Sequence, residues 1–490
     1  MTIAKTSIPT MATPTPQVRI NVASNRLPLS LLVALVVGSI LGSGIFGLPQ
    51  NMAAGAGTGA ILIGWLITGV GMLALALVYQ SLAMRKPDLN NGVYAYAQAA
   101  AGEYVGFNAA WGYWVSAWIG NVGYLVAAFG ALGYFFPAFG DGNTAAAIAG
   151  ASVALWAVHL LVLRGIRGAA LLNAVATLAK VLPLLLFIAV VALAFQTKTF
   201  AFDFWGAPKL GPMLDQVRST MLVTVWVFIG IEGASVYSAR ARRREDVGRA
   251  TIVGFVITLL LLMGVSLLSL GVLQQPQLAQ LKNPSMAGVL ESIVGTWGAV
   301  LIYVGLIVSV GGGFLAWMLL AAESLFTPAG GGVMPKWLAR QNPQGVPANA
   351  LWLTNGMVQL FLLVTLFSKA SYLALISLST AMILLPYLFS AVYGLVISWR
   401  GEGAANTQRR ADLPIAGLAS VYCVWLLYAA GLKYLLLASL LYAPGAMVYL
   451  WARKQRAQRV FKGYELVILA ALLLMALAAA YLLATGGLTL

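Results

Sequence analysis

A single cysteine, Cys423, and a single histidine, His159, stand in 490 residues. One cysteine cannot form an intrachain disulfide, and a Cys/His zinc cluster of ordinary spacing is out of reach. A lone histidine also leaves the chain without the clustered nucleophile, base and orienting groups that hydrolytic enzymes use, so no enzymatic activity, metal or cofactor is expected. Charge is scarce as well: 9% of residues, with 13 acidic side chains against 29 basic ones. A soluble domain carries about 25% charged residues. What fills the chain instead is apolar, 61% of residues, in runs long enough for membrane helices rather than barrel strands.

A span needs about 20 mostly apolar residues. Thirteen runs meet that length, near residues 27–52, 56–82, 104–136, 144–163, 169–195, 216–239, 250–273, 287–322, 349–367, 371–398, 413–431, 433–451 and 464–485. The split at Gly431-Leu432-Lys433 leaves almost no loop. Residues 1–26 are polar and rich in Thr and Pro, and read as a disordered tail rather than a signal peptide. With that tail inside, 22 of the 29 basic residues fall on one side, six on the other, and Lys180 lies within a span. This asymmetry follows the positive-inside rule, predicting a cytoplasmic N-terminus and, with thirteen spans, an external C-terminus. The net charge of +16 therefore sets topology. Nucleic acid is not an expected partner, because the basic residues sit in short loops. The run ARARRREDVGRA is most simply an anchor that meets anionic lipid of the bilayer.

Two segments depart from an ordinary span. GSILGSGIFGLPQN, Gly38 to Asn51, interrupts the first, and FIGIEGAS, Phe228 to Ser235, the sixth. Glycine costs a helix about 1 kcal/mol relative to alanine, and unpaired backbone is tolerated at membrane depth only against protein or a cavity. Glycine-interrupted segments at matching positions point to a transporter of two inverted repeats. Close helix packing is the alternative, since Gly38 and Gly42 form a GxxxG pair. Pro49 and Glu232 tip the reading toward breakage. From Ser219 to Ala239, Glu232 is the only charge. A carboxylate at a helix centre costs roughly 3 kcal/mol or more, so its retention suggests attraction of a cation. The N–H end of a broken helix favours an anion and the C=O end a cation. Gly42, Ser43 and Gly44 are thus placed for the carboxylate of an α-amino acid, and the sixth span for its ammonium. Lys180 lies mid-span, shortly before Pro183, and reads either as a snorkelling lysine or as an ammonium in a functional site. Trp226 and Trp317 offer indole faces, worth about 1–2 kcal/mol to a desolvated cation. His159 reads as a polar packing residue. Asp88 and Glu103 border NNGVYAYA, an expected amphipathic cytoplasmic helix.

GSGIF, PDLNNGVYAYAQAAAGEYVGF, WGYWVSAWIGNVGY, WVFIGIEGASVYSARARRREDVGRATIVGF, NPSMAGVLE, VPANALWLTN and GLKYLLLASLLYAPGA together resemble the amino acid–polyamine–organocation superfamily, in particular its basic amino acid/polyamine antiporters. The resemblance covers nearly all of the chain after residue 26. It implies an all-α fold in which a ten-helix core, 27–398, comprises inverted repeats 27–195 and 216–398, followed by additional helices in 399–490. It implies exchange of external arginine for internal ornithine across a bacterial cytoplasmic membrane, beside the arginine deiminase pathway. Lysine or arginine uniport, proton symport and arginine/agmatine exchange are the alternatives; a non-transporting sensor is disfavoured by the short inner segments. It implies a pocket of Ile40, Gly42, Ser43, Gly44, Asn121, Tyr124, Trp226, Ile229 and Trp317. Tyr113, Glu232 and Tyr387 would gate it, and the Lys180 ammonium would replace the cation of sodium-coupled relatives. Tyr124 departs from the arginine/agmatine pattern. A homodimer is a further expectation from the resemblance.

Overall fold

The computed structural model describes residues 28–89, 93–165, 169–206, 208–232, 244–368, 371–403, 406–458 and 460–488. The tail 1–26 and the basic run through residue 243 lie outside them. Among the described residues the chain is helical throughout. In chain order the α-helices are α1 Leu29–Ile40, α2 Leu48–Ala53, α3 Thr58–Arg85, α4 Val93–Ala101, α5 Glu103–Phe135, α6 Ala145–Leu163, α7 Ala169–Leu193, α8 Thr197–Phe200, α9 Met213–Phe228, α10 Arg244–Ser269, α11 Gln275–Ala279, α12 Ser285–Val294, α13 Thr296–Gly330, α14 Ala348–Ser368, α15 Tyr372–Arg400, α16 Asn406–Lys454 and α17 Gly463–Ala484.

Nine of these are long and apolar enough to cross a membrane, or ten if α1 and the Ser43–Ala53 segment count as one bent span. The remaining expected spans fall where the chain is interrupted or undescribed. Residues 233–239 of the sixth lie outside the described set. Within the fifth, Lys180–Leu193 is a shorter apolar helix. The eleventh and twelfth run together as α16, broken at Gly431 (φ 73°, ψ 164°), where the sequence places their boundary. One expectation is corrected: 287–322 is not one span. Gly295, with φ 78°, separates the ten-residue α12 from α13. A positive φ is open to glycine and strained for other residues, so the chain turns there.

Both suspected breaks are present. The first runs from Leu41 (ψ 95°) and Gly42 (ψ −166°) into a 3₁₀ turn over Ser43–Gly47, and the axis bends by 52°. Pro49 sits in the first turn of α2, where its missing N–H costs nothing. The second break ends α9 at Phe228. Ile229 turns extended (ψ 130°) and Gly230 takes φ 107°, a conformation that a β-carbon would strain.

Helix α5 lies at the centre, packed on α13 and α15, while α1 rests on α10 and α7 on α13. Its buried residues run almost without gap from Tyr104 to Val126. In a bilayer the association of such helices depends on close packing and interhelical hydrogen bonds rather than on expelled water. Trp65 Nε1 donating to Ser266 Oγ at 2.7 Å and Thr68 Oγ1 facing Thr224 Oγ1 at 2.7 Å are buried examples. The last helix differs: only 11% of the apolar stretch of α17 is buried.

Candidate functional site

The two breaks and the middle of α5 enclose one pocket. Ile40, Gly42 and Gly44 line it from the first break, Trp226, Val227 and Ile229 from the second, Ser116, Ala117, Gly120 and Tyr124 from α5, and Trp317 from α13. Its free volume is about 20 Å³, room for about one water molecule. Trp226 reaches from the second break toward both the first break and α5. A β-carbon on Gly44 would stand 2.6 Å from its Nε1, and one on Gly120 would stand 3.1 Å from Cη2. Glycine at 44 is therefore required for the indole to approach the broken segment. Tyr124 closes the other flank, its ring centroid 6.4 Å from that of Trp226 and its hydroxyl 3.0 Å from where a Gly42 β-carbon would lie.

Of the residues expected to line the pocket, Ile40, Gly42, Gly44, Tyr124, Trp226, Ile229 and Trp317 do so. Ser43 and Asn121 are buried beside it, 4% and 0% exposed, without forming its surface. Ser43 Oγ and both amide atoms of Asn121 have no protein partner. Buried polar atoms ordinarily find one, so these mark polar capacity next to the pocket. Sequence reading missed Ser116, Ala117, Gly120 and Val227. The signal for the first three was available. Tyr113, Ser116, Ala117, Gly120, Asn121 and Tyr124 follow the i, i+3, i+4, i+7 spacing of one helix face.

Toward the N-terminal end of α5, three expected residues meet. Tyr113 Oη donates to Glu232 Oε1 at 2.7 Å and Tyr387 Oη donates to Oε2 at 2.8 Å. The Gly230 N–H also donates to Oε2, at 3.1 Å. The carboxylate thus ties α5, α15 and the second break to one point. It is 7% exposed. Tyr79 packs edge-on against Tyr387, with ring centroids 6.0 Å apart.

Lys180 is 7% exposed. Its Nζ donates to the Leu41 carbonyl at 3.0 Å, so its partner lies across the bundle rather than beside Pro183. Leu41 is the C-cap of α1, where unsatisfied carbonyls concentrate the negative end of the helix dipole. An ammonium at that point does what a bound cation would do for the same carbonyl. His159 packs between Trp156 and Trp352, its Nδ1 2.8 Å from Asn355 Nδ2, which is the polar packing role expected of it.

Comparison with known proteins shows the family. A family model described as amino acid permease matches residues 29–444. The chain is 57% identical over 478 residues to the arginine/ornithine antiporter of Pseudomonas aeruginosa, covering 96% of this chain and 99% of the relative. It is 43% identical to the L-lysine transport protein of Corynebacterium glutamicum, over 95% of this chain and 97% of that one. It is 42% identical to the arginine/agmatine antiporter of Chlamydia pneumoniae, over 95% and 98%. With its broken helices, its central pocket and a match spanning most of its length, this multi-pass membrane protein belongs to the amino acid permease family of the amino acid–polyamine–organocation superfamily.

Proposed function

We propose that the chain exchanges external arginine for internal ornithine, one for one, by alternating access across a bacterial inner membrane. The observation that carries the choice of substrates is the 57% identity, over 96% of the chain, to an arginine/ornithine antiporter. The geometry supports the mechanism. The pocket lies between two helix breaks, and the Ser43–Gly47 turn supplies the backbone for a substrate carboxylate. Trp226 and Trp317 present indole faces to a cationic side chain. Glu232 closes the pocket with Tyr113 and Tyr387, and a cation arriving above it competes for the carboxylate. A volume near 20 Å³ means that these walls part to admit an amino acid.

In this reading the core is 27–398, with repeats 27–195 and 216–398, and residues 399–490 add the outer helices. The N-terminus is cytoplasmic and the C-terminus external. The Lys180 ammonium holds the Leu41 carbonyl in place of a sodium ion, so transport needs none. Arginine and ornithine each carry about one positive charge near neutrality, so the exchange moves no net charge and their two gradients drive it. An unloaded pocket would leave the broken helix ends that line it without a substrate to serve as it occludes, which disfavours return of the empty carrier.

Labelled arginine uptake into proteoliposomes preloaded with ornithine, lysine, agmatine or nothing tests this. Uptake should require internal ornithine. Uptake into empty vesicles at the same rate would instead support uniport or proton symport, and preference for lysine would align the chain with the C. glutamicum relative.

A further inference from the structure

The motif VPANALWLTN runs into α14, a helix that supplies none of the residues lining the pocket. Its last two residues nevertheless hold two of the pocket's walls. Thr354 Oγ1 accepts from Trp114 Nε1 of α5 at 2.9 Å. Asn355 Nδ2 donates to the Met318 sulfur of α13 at 3.3 Å and lies 2.8 Å from Nδ1 of His159 on α6. All five side chains are buried. On α5, Trp114 stands two positions before Ser116; on α13, Met318 directly follows Trp317. Ser116 and Trp317 both line the pocket. Successive residues of a helix point about 100° apart, so Met318 can face α14 while Trp317 faces the pocket.

Donor and acceptor chemistry fixes the orientation of the Asn355 amide. A thioether accepts but does not donate, so the amide nitrogen, not the oxygen, turns toward Met318. The same nitrogen offers its other N–H to His159. Nδ1 accepts it, and the ring carries its proton on Nε2. Further along the same interface, Trp156 Nε1 donates to Gln359 Oε1 at 3.0 Å and Gln359 Nε2 donates to Ser152 Oγ at 2.9 Å. These bonds key α14 to α6 at a second level. The Thr354–Asn355 pair is thus held from behind while it holds α5 and α13 in front.

We propose, resting on the transport reading above, that Thr354 and Asn355 are positioning residues that set the gap between Trp317 and the α5 wall, with His159 holding the Asn355 amide, and that this gap favours arginine over ornithine. A guanidinium is planar and stacks on an aromatic face, whereas an ammonium is a compact point charge on a flexible stem. Stacking is lost when the indole tilts. A compact ammonium is still attracted anywhere over the ring within about 6 Å of its centroid. Without the bonds to Trp114 and Met318, α14 no longer fixes the separation of the two walls, and the indole of Trp317 loses its set distance from Ser116 and Gly120.

Two measurements on the full-length protein, purified without a histidine tag, test this. The first is independent of the substrate and uses the single histidine of the chain. With isotopically labelled histidine, nitrogen NMR should report one ring, protonated at Nε2 and bare at Nδ1, and Asn355→Leu should shift or mix that signal. A ring protonated at Nδ1, or a signal indifferent to Asn355→Leu, would overturn the assigned contact. The second is exchange in proteoliposomes preloaded with ornithine. Asn355→Leu and the isosteric Thr354→Val should each raise the KM for external arginine about 3- to 10-fold, with Vmax and the KM for external ornithine within about twofold of the parent. Thr354→Val decides the matter if Asn355→Leu does not assemble. His159→Leu should behave as Asn355→Leu does, and His159→Asn, whose amide oxygen replaces Nδ1 as acceptor, should recover most of the preference. An equal rise in both KM values, a fall in Vmax alone, or a His159→Asn variant no better than His159→Leu would reject the positioning role. A parent protein that does not exchange arginine for ornithine would count against the proposed substrates, and the histidine signal would still decide the contact.

Discussion

Replacing Glu232 with glutamine separates the charge of the site from its geometry. The carboxylate accepts from Tyr113 on Oε1 and from Tyr387 and Gly230 on Oε2. A glutamine with its oxygen toward Tyr387 and Gly230 keeps both of those bonds. Its NH₂ then faces Tyr113, whose hydroxyl can rotate to accept. Every one of these partners remains served, so Glu232→Gln should fold and reach the membrane. What it loses is the negative charge. At an effective dielectric of about 20, a cation roughly 6 Å away gains about 3 kcal/mol from a unit charge, or about 100-fold in an equilibrium. Arginine exchange in proteoliposomes should therefore fall about 100-fold in Vmax/KM, while any residual exchange of citrulline, an uncharged isostere, should change little. Glu232→Ala behaves differently: it strands three donors, at about 1–3 kcal/mol each, and should lower the melting midpoint of the purified protein sharply. Glu232→Gln exchanging arginine at the parent rate and KM would refute the electrostatic role. A melting midpoint for Glu232→Gln as low as that of Glu232→Ala would refute the hydrogen-bond argument.

The other expectations concern the supports of the pocket. Lys180→Met keeps the apolar stem but removes the donor to Leu41, a charged hydrogen bond worth about 1.5–3 kcal/mol; exchange should fall tenfold or more, with added sodium as the check on whether an external cation substitutes. Gly230→Ala forces a β-carbon onto φ 107° at a cost of order 1–3 kcal/mol. Gly311→Ala, where the added methyl meets nothing within 4 Å, should leave the melting midpoint unchanged or slightly raised. Gly44→Ala drives its methyl against Trp226 and should lower exchange more than stability. At the membrane surface, Lys86 Nζ lies 2.7 Å from Glu402 Oε2. That hydrogen bond holds the Glu402 carboxyl below its usual range and the Lys86 ammonium above its own. The carboxylate contribution is present above the ordinary carboxylate range, about pH 4, and is lost as pH falls through the depressed value. The lysine contribution is lost only on the alkaline side, above its usual range. Glu402→Gln should therefore melt below the parent near neutrality and converge with it in acid; a constant difference across that pH range would disprove the linkage.

The features that could be read from the chain are those that break a local rule. Gly42 and Gly44 in mid-membrane, Glu232 in an apolar run and Gly431 between spans each conflict with the element around them, and such conflicts mark strained or functional positions. The structure places a break at each glycine cluster and gathers Tyr113, Glu232 and Tyr387 in one contact. Distant partners were not legible. Lys180 announces a buried ammonium, yet nothing near it names Leu41, 139 positions away. Gly295 was hidden inside an apolar run because hydropathy is averaged over a window, while a chain turns at a single φ. Ser116 and Gly120 passed unnoticed for a different reason: small residues in a packed membrane helix obey every local rule, and their exposure to the pocket depends on which way α5 faces. Tyr464 and Glu465 are quieter still. At the start of a helix a glutamate is where propensity wants it. Only the fold shows that the same carboxylate reaches Tyr104, 361 positions earlier, and gives a second helix the cap that Gly102 cannot supply.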